Sequence, residues 1–257
     1  MFNFKLNLKT ISILALIFAS FLFSSQAFCQ GNIKGCSKDE KDVIGAVSNN
    51  LVIARKHIIF VCPENLVYKW YPESEIDSPE KMADWLEKIY VLSMEWISFD
   101  PNKCYAKRNG RIIRLIFIDK GNKDFQFGGK SKRPYIGLVD LVRDKDGTDE
   151  DRLGWFTHEL SHDFWHENPD FKSVKDPWGE AMCDFERYWL LKESGMPIAA
   201  ERWLQRLKNA NPKDKYRGGA WILLDYQLKN FKSPKEFWRY LKGKDFDAVF
   251  GKPLWKE

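Results

Sequence analysis

The segment His158-Glu159-Leu160-Ser161-His162 constrains this chain more than any other feature. It reads H-E-x-x-H within a run of helical periodicity, and the chain has only four histidines. Side chains four apart on a helix stand one above the other on the same face. His158 and His162 can therefore direct two imidazoles at one Zn²⁺, while Glu159 on the adjoining face reaches a water held by that metal. Two neutral nitrogen ligands, an open coordination position and a base are what a zinc hydrolase requires. Phe156, Leu160 and Phe164 form an apolar stripe that would anchor the same helix in a core. The alternative is a surface helix with two solvated histidines.

The 257 residues, 44% hydrophobic and 15% aromatic, suffice for a full core in one large or two small domains. The N-terminus is expected to lie outside it. Lys5 and Lys9 form a basic region, and Ile11 to Phe23 is an apolar run too short for a comfortable membrane span. Ser25-Gln26-Ala27 then offers small residues where a signal peptidase cuts. Residues 1–27 thus read as a secretory signal cleaved near Ala27, which predicts a secreted or periplasmic protein with no stable membrane insertion afterwards. Removing its two lysines leaves 39 basic and 36 acidic residues, a net charge of +3. No Lys/Arg run is dense enough to argue for nucleic acid. Cys29, Cys36, Cys62, Cys104 and Cys183 remain, an odd number in a compartment where disulfides can form. No C-x-x-C pair supports a zinc knuckle or a thioredoxin-type site.

Along the chain, Leu51 to Val61 is rich in β-branched and aromatic residues and reads as a strand that stops at Cys62-Pro63. Ser78-Pro79-Glu80 opens a helix carrying Met82, Trp85, Ile89, Leu92 and Trp96 at helical spacing. Arg111 to Ile118 and Tyr135 to Val142 read as further strands, separated by a Gly128-Gly129 loop. The character changes near Gly147. Thr148-x-x-Asp151 resembles a capping box, and its helix runs through the motif to Asn168-Pro169. Helices are then expected over Pro177 to about Glu193, Ala199 to Lys208, Ala220 to Lys229, and from Ser233-Pro234 onward. The predicted fold class is α+β: an N-terminal mixed part with a small sheet over 28–147, a helical part over 148–257, and a cleft between them.

Two histidines do not make a tight site, so a third protein ligand should follow. The best candidate is Glu180, in Asp176-Pro177-Trp178-Gly179-Glu180-Ala181-Met182-Cys183-Asp184. Asp176 can cap the helix, Pro177 suits its first turn, and Glu180 lies about one turn in. Asp184 shares the face of Glu180 and could accept a hydrogen bond from the second nitrogen of a ligand histidine. An ordinary amphipathic helix with its acids in solvent is the alternative.

H-E-L-S-H followed by G-E-A-M-C-D resembles the gluzincin branch of zinc metallopeptidases, the thermolysin-like and peptidase MA-like enzymes. The resemblance implies a zincin-like fold, one Zn²⁺, and Glu180 as the ligand on the helix after the motif, with Ala181 and Asp184 in the matching frame. By the same likeness, Tyr135 to Val142 would be the cleft-edge strand that pairs with an extended substrate backbone. Tyr216-Arg217-Gly218-Gly219-Ala220 resembles the Y-x-K-G-A segment of the aminopeptidase branch, whose Tyr donates a hydrogen bond to the oxyanion. Gly218 stands where that pattern has Lys, and Tyr216 as a packing residue at a helix start is the alternative. The G-x-M-E-N segment that binds a free N-terminus in that branch is absent, and Met94-Glu95-Trp96 on an earlier helix is no substitute.

His166, one turn beyond His162 on the same straight helix, is badly placed to close a tetrahedron. His57 reads as a structural residue in a strand. Cys183 is taken to lie at the wrong helical angle for both Glu180 and Asp184, as a buried, inert thiol. Asp163 reads as solvated or as an outer partner of the site, and Trp155, Trp189 and Trp221 as core. The expected function is a secreted zinc metallopeptidase acting on peptide or protein substrates, with Glu159 and Tyr216 catalytic and His158, His162 and Glu180 on the metal. The competing expectation is a non-catalytic, zinc-stabilised module that binds cell-surface or glycoprotein partners.

Overall fold

Ser78 and Pro79 start the first long helix for the reasons their chemistry suggests. The Ser78 hydroxyl accepts the Lys81 backbone N–H at 3.2 Å, and Pro79 occupies the first turn, where no amide proton is needed. A cap of this kind stabilises a helix by about 1 kcal/mol. The resulting α1 (Pro79–Ile97) buries Met82, Trp85, Ile89 and Trp96 along one stripe. The computed structural model describes residues 50–63, 76–103, 113–118, 135–139, 149–166, 168–214 and 216–252, and helix predominates among them. The expected signal segment 1–27, Cys29, Cys36, Cys104, the Gly128-Gly129 loop and Thr148 lie outside the described residues. Among the described residues no helix is long and apolar enough to cross a membrane.

The β-branched stretch expected as one strand over 51–61 is two. β1 (Asn50–Ala54) and β2 (Ile58–Pro63) run antiparallel, with Leu51 opposite Cys62 and Ala54 opposite Ile59. The reversal falls in the polar run Arg55-Lys56-His57, closed by Arg55 N–H donating to the Ile58 carbonyl at 2.8 Å. His57 therefore sits in a turn, not in a strand. Its backbone N–H and ring Nδ1 both meet the Glu87 carboxylate, at 3.0 and 2.6 Å, and its ring stacks on Tyr90. These contacts tie the hairpin to α1 and account for the residue structurally.

β3 (Ile113–Ile118) pairs parallel with β2, and β4 (Tyr135–Val139) pairs parallel with β3, giving the order β1-β2-β3-β4. A parallel pair cannot be joined by a tight turn. α1 supplies the crossover from β2 to β3 and packs on β1 and β2. Among the described residues β4 forms one edge of this sheet, and it touches α2 (Asp149–His166), the helix that carries the motif.

Downstream of α2 the described residues hold helices alone: α3 (Asp176–Glu193), α4 (Pro197–Lys208), α5 (Arg217–Asn230), α6 (Pro234–Leu241) and the short α7 (Phe246–Phe250). α2 ends at His166, and the Asn168 side chain caps a 3₁₀ turn at Pro169–Phe171 by accepting Asp170 N–H at 2.9 Å. The cap of α3 is Lys175 and not Asp176, which is already helical; Lys175 brings no side-chain hydrogen bond to that end. Instead the Trp178 indole N–H donates to Asp247 of α7 at 2.8 Å, while Phe246 and Phe250 pack on the same ring.

α3 is the central helix. It contacts α1, α2, α4 and α5, and every residue from Ala181 to Leu191 is buried. That burial includes Asp184, Glu186 and Arg187, so each polar group must find its compensation inside the protein. Arg187 finds part of it on the Trp203 ring of α4, 3.7 Å from its guanidinium. The strands and these helices belong to one compact unit, Ser37–Glu257.

Candidate metal centre

Phe156, Leu160 and Phe164 are buried, and they seat α2 so that His158 and His162 face α3. Glu180 and Asp184, one turn apart on α3, meet them. Glu180 Oε2 lies 3.2 Å from His158 Nε2 and 3.4 Å from His162 Nε2. Asp184 Oδ1 lies 2.8 Å from His158 Nδ1. The two imidazole rings approach edge to face at 5.0 Å, and both are buried. Gly179 makes the approach of the helices possible: a Cβ there would collide with the Trp165 ring of α2.

The arrangement has an electrostatic consequence. Asp184 accepts a hydrogen bond from His158 Nδ1–H, which in a neutral ring leaves the lone pair on Nε2, pointing at a carboxylate oxygen. A lone pair and a carboxylate oxygen at 3.2 Å repel unless a proton or a cation lies between them. Burial by itself would depress the His158 pKa. The charge and hydrogen bond of Asp184, the hydrogen bond of Glu180 and the charge of Glu159 outweigh it and lift the pKa to about 10. Burial also opposes ionisation of Glu180, yet the two imidazoles hold its carboxyl well below the usual carboxylate range. The pocket of acids therefore favours a positive charge at His158 Nε2. A divalent cation supplies that charge as well as a proton does.

The separations fit a metal too. Zinc bonds of about 2.0–2.1 Å in a tetrahedron place ligand atoms about 3.3–3.4 Å apart. Of the two nitrogen-to-oxygen distances, 3.4 Å falls in that range and 3.2 Å lies just below it. No family model, curated protein or solved structure matches this chain. The site is accordingly read from its own chemistry.

A second donor set shares the two histidines. Cys183 is buried, and its Sγ lies within 4.8 Å of nitrogens of His158 and His162, so these three residues form a buried group that could hold a metal ion. The reading of Cys183 as turned away from the site is thereby corrected. Residues three apart on a helix are neighbours on one face, so Cys183 shares the face of Glu180. Its thiol is pushed well above its ordinary pKa, first by burial and then by the charge of Glu180, and its sulfur accepts the Trp165 indole N–H at 3.0 Å. Glu180, by contrast, is 27% exposed and already ionised.

Glu159 lies on the adjoining face of α2, 8% exposed. Its pKa is raised, chiefly by burial, with the two imidazoles acting against that and Glu180 and Asp184 adding to it. Tyr216 stands at the start of α5, 38% exposed, with its ring 6.5 Å from that of His158. Its neighbour Gly218 explains the departure from the Y-x-K-G-A pattern. A Cβ at Gly218 would lie 2.8 Å from the Asn211 carbonyl oxygen and 2.9 Å from that of Pro212, so a lysine there would force the loop away from α5. His166 stacks on Trp165 and lies one ring beyond His162, outside the donor sets above. Trp189 is buried and Trp221 partly so.

Glu186 escaped the sequence reading. It lies on the buried α3 with Ser93 of α1 and Ser161 of the motif nearby, though the Ser93 hydroxyl makes no well-formed hydrogen bond. Burial pushes its carboxyl up from 4.5 to about 7, against the pull of the two hydroxyls. A carboxyl whose folded pKa is raised keeps its proton in the native state over a range where the unfolded chain has lost it. Stability contributed this way is present below about pH 4.5, falls as pH rises, and is gone above about 7. The full change corresponds to about 3 kcal/mol. Urea denaturation at pH 5 and pH 8 should show Glu186→Gln losing less stability between the two than the wild type. Equal losses would remove Glu186 from the account.

Proposed function

We propose that this chain is a secreted or periplasmic zinc metallopeptidase of gluzincin type, with a zincin-like fold, that hydrolyses internal peptide bonds. The observation that carries the reading is the convergence of His158 Nε2 and His162 Nε2 on one Glu180 oxygen, with Asp184 behind His158. In this reading His158, His162 and Glu180 hold one Zn²⁺. Asp184 fixes the His158 ring in the tautomer that offers Nε2 and increases its basicity. Zinc, when bound, acts as a Lewis acid toward water and toward the scissile carbonyl.

The protein's own groups do the rest. The Glu159 carboxylate takes a proton from the attacking water and returns it to the leaving amine nitrogen. Burial raises its pKa, the direction that makes its carboxylate a stronger base. The Tyr216 phenol donates a hydrogen bond toward the carbonyl oxygen as charge gathers there. β4, an edge of the sheet beside α2, offers backbone groups to an extended peptide.

Cys183 is the weaker third ligand because its thiol would have to lose a proton that burial strongly retains, whereas Glu180 is ionised in place. The direct test is digestion of an unfolded protein by the purified chain. Cleavage should stop on dialysis against a chelator and return with one equivalent of Zn²⁺. A chain that binds zinc and cleaves nothing would be the non-catalytic module instead.

A further inference from the structure

Charge is distributed unevenly along the helical part. Residues 149–186, which include the imidazoles and their acids, hold 11 acidic and 3 basic residues; residues 201–244 hold 12 basic and 4 acidic. The basic stretch spans α4, α5 and α6. Within it, between the end of α4 and the start of α5, lies a cavity of about 460 Å³. Arg206 and Arg217 line it together with the carboxamides of Gln205, Asn209 and Asn211 and the carboxylate of Asp214.

The one acid in this wall is already committed. Asp214 Oδ1 accepts the backbone N–H groups of Tyr216 and Arg217 at 2.9 and 3.0 Å, and Oδ2 lies 3.5 Å from Arg217 Nε. Its Oδ1 is thus engaged at the start of α5, and its Oδ2 lies beside Arg217. The wall is also stiff. Asp214 N–H donates to the Asn211 carbonyl at 2.8 Å, and Lys213 N–H donates to the Asn211 side chain at 2.9 Å. Gly218 N–H donates to the Asp214 carbonyl at 3.0 Å. The absence of a Cβ at Gly218 lets this loop lie directly on the helix. Asp214, held in this frame, restrains the Arg217 guanidinium, which therefore loses less freedom on meeting an acceptor.

We propose that this cavity is a substrate subsite that recognises a carboxylate, taken from a peptide's C-terminus or from an acidic side chain. It rests on the peptidase reading. The link between the two is Tyr216, whose ring stands 6.5 Å from His158 and whose chain neighbour is Arg217. Adjacent Cα atoms are about 3.8 Å apart, so the backbone of Arg217 lies beside that of Tyr216, and an extended peptide of several residues has the length to span from the imidazoles to the cavity. Guanidinium groups pair with carboxylates in a planar fork, and the field of the surrounding basic helices draws anions toward them.

The test uses Glu159→Gln protein loaded with zinc, so that binding is read without turnover. Three pools of N-acetylated random hexapeptides are equilibrated with it. One has uncharged side chains and an amidated end, one has uncharged side chains and a free C-terminal carboxylate, and one is amidated with a single Glu. Retained peptide is counted by mass spectrometry after rapid filtration. One or both anionic pools should be retained about five- to tenfold over the neutral pool, the worth of two exposed ion pairs. The preference should shrink as salt is added, and the pool that shows it names the source of the carboxylate. Arg206→Gln/Arg217→Gln should abolish it, with a melting curve to show that the double variant folds and either single variant as a substitute if it does not. Equal retention of all pools, or a preference that survives the double substitution, overturns the subsite. Digestion of the same pools by the wild-type protein keeps the two ideas apart. Cleavage without carboxylate preference leaves the peptidase reading and sinks the subsite; preference in binding without cleavage does the reverse.

Discussion

Glu159→Gln should reduce peptide hydrolysis by a factor on the order of 10²–10⁴ while zinc content stays at one per chain. The amide has nearly the shape of the carboxylate, so the buried position on α2 is kept and the helix has no reason to move. What disappears is the basic oxygen. A general base must accept a proton in the transition state, and an amide oxygen near neutral pH does not. Zinc content is read by atomic emission and hydrolysis by release of fluorescent fragments from a labelled unfolded protein. If the variant cleaves at the wild-type rate, the proton transfer assigned to Glu159 is wrong, and a peptidase working through another base would have to be sought.

Glu180→Ala and Cys183→Ser together decide the third ligand, and their effects should differ widely. Glu180→Ala removes the carboxylate that lies 3.2 and 3.4 Å from the two imidazoles, and zinc affinity should fall by more than the 10- to 100-fold typical of losing an outer hydrogen-bond partner. Cys183→Ser exchanges a buried thiol for a hydroxyl of similar shape. It loosens the Trp165 indole contact and should lower stability modestly, leaving zinc affinity within a few-fold of wild type. Competition with a chromophoric chelator measures both. The reverse ranking, with Cys183→Ser losing the metal and Glu180→Ala keeping it, would assign the site to His158, His162 and Cys183. Thiolate is an ordinary zinc ligand, so that result would change the third donor without excluding zinc.

How far each part was legible depends on the range of the interaction behind it. The pairing of His158 with His162 follows from the pitch of one helix, and so does the burial of Phe156, Leu160 and Phe164 beneath them. The start of α1 was equally plain, since Ser78 and Pro79 act within one turn. The hairpin between β1 and β2 was not. Its turn holds Arg55, Lys56 and His57, without the Gly or Asn that ordinarily marks a two-residue reversal, and what holds the hairpin in place includes Glu87 on another element. Cys183 stands three residues from Glu180, so the two share a helix face, and its approach to the imidazoles depends on how α2 meets that face. Gly218 looked like a defect in a motif and is a packing requirement set by carbonyls six and seven residues earlier.

The linear chain by itself determined that two imidazoles and a carboxylate ride on one helix, and that acids at 180 and 184 share a face of another. Those are consequences of 3.6 residues per turn and need no partner. Only the tertiary structure decided that the two faces meet, because their approach depends on Gly179 yielding space to the Trp165 ring and on α3 being packed by its neighbouring helices. It also decided that Asp184 serves His158, that Tyr216 stands within reach of the same ring, and that two arginines from different helices share one cavity. Helical periodicity sets which side chains point the same way. Which groups they confront is set by close packing between helices, and that belongs to the whole fold.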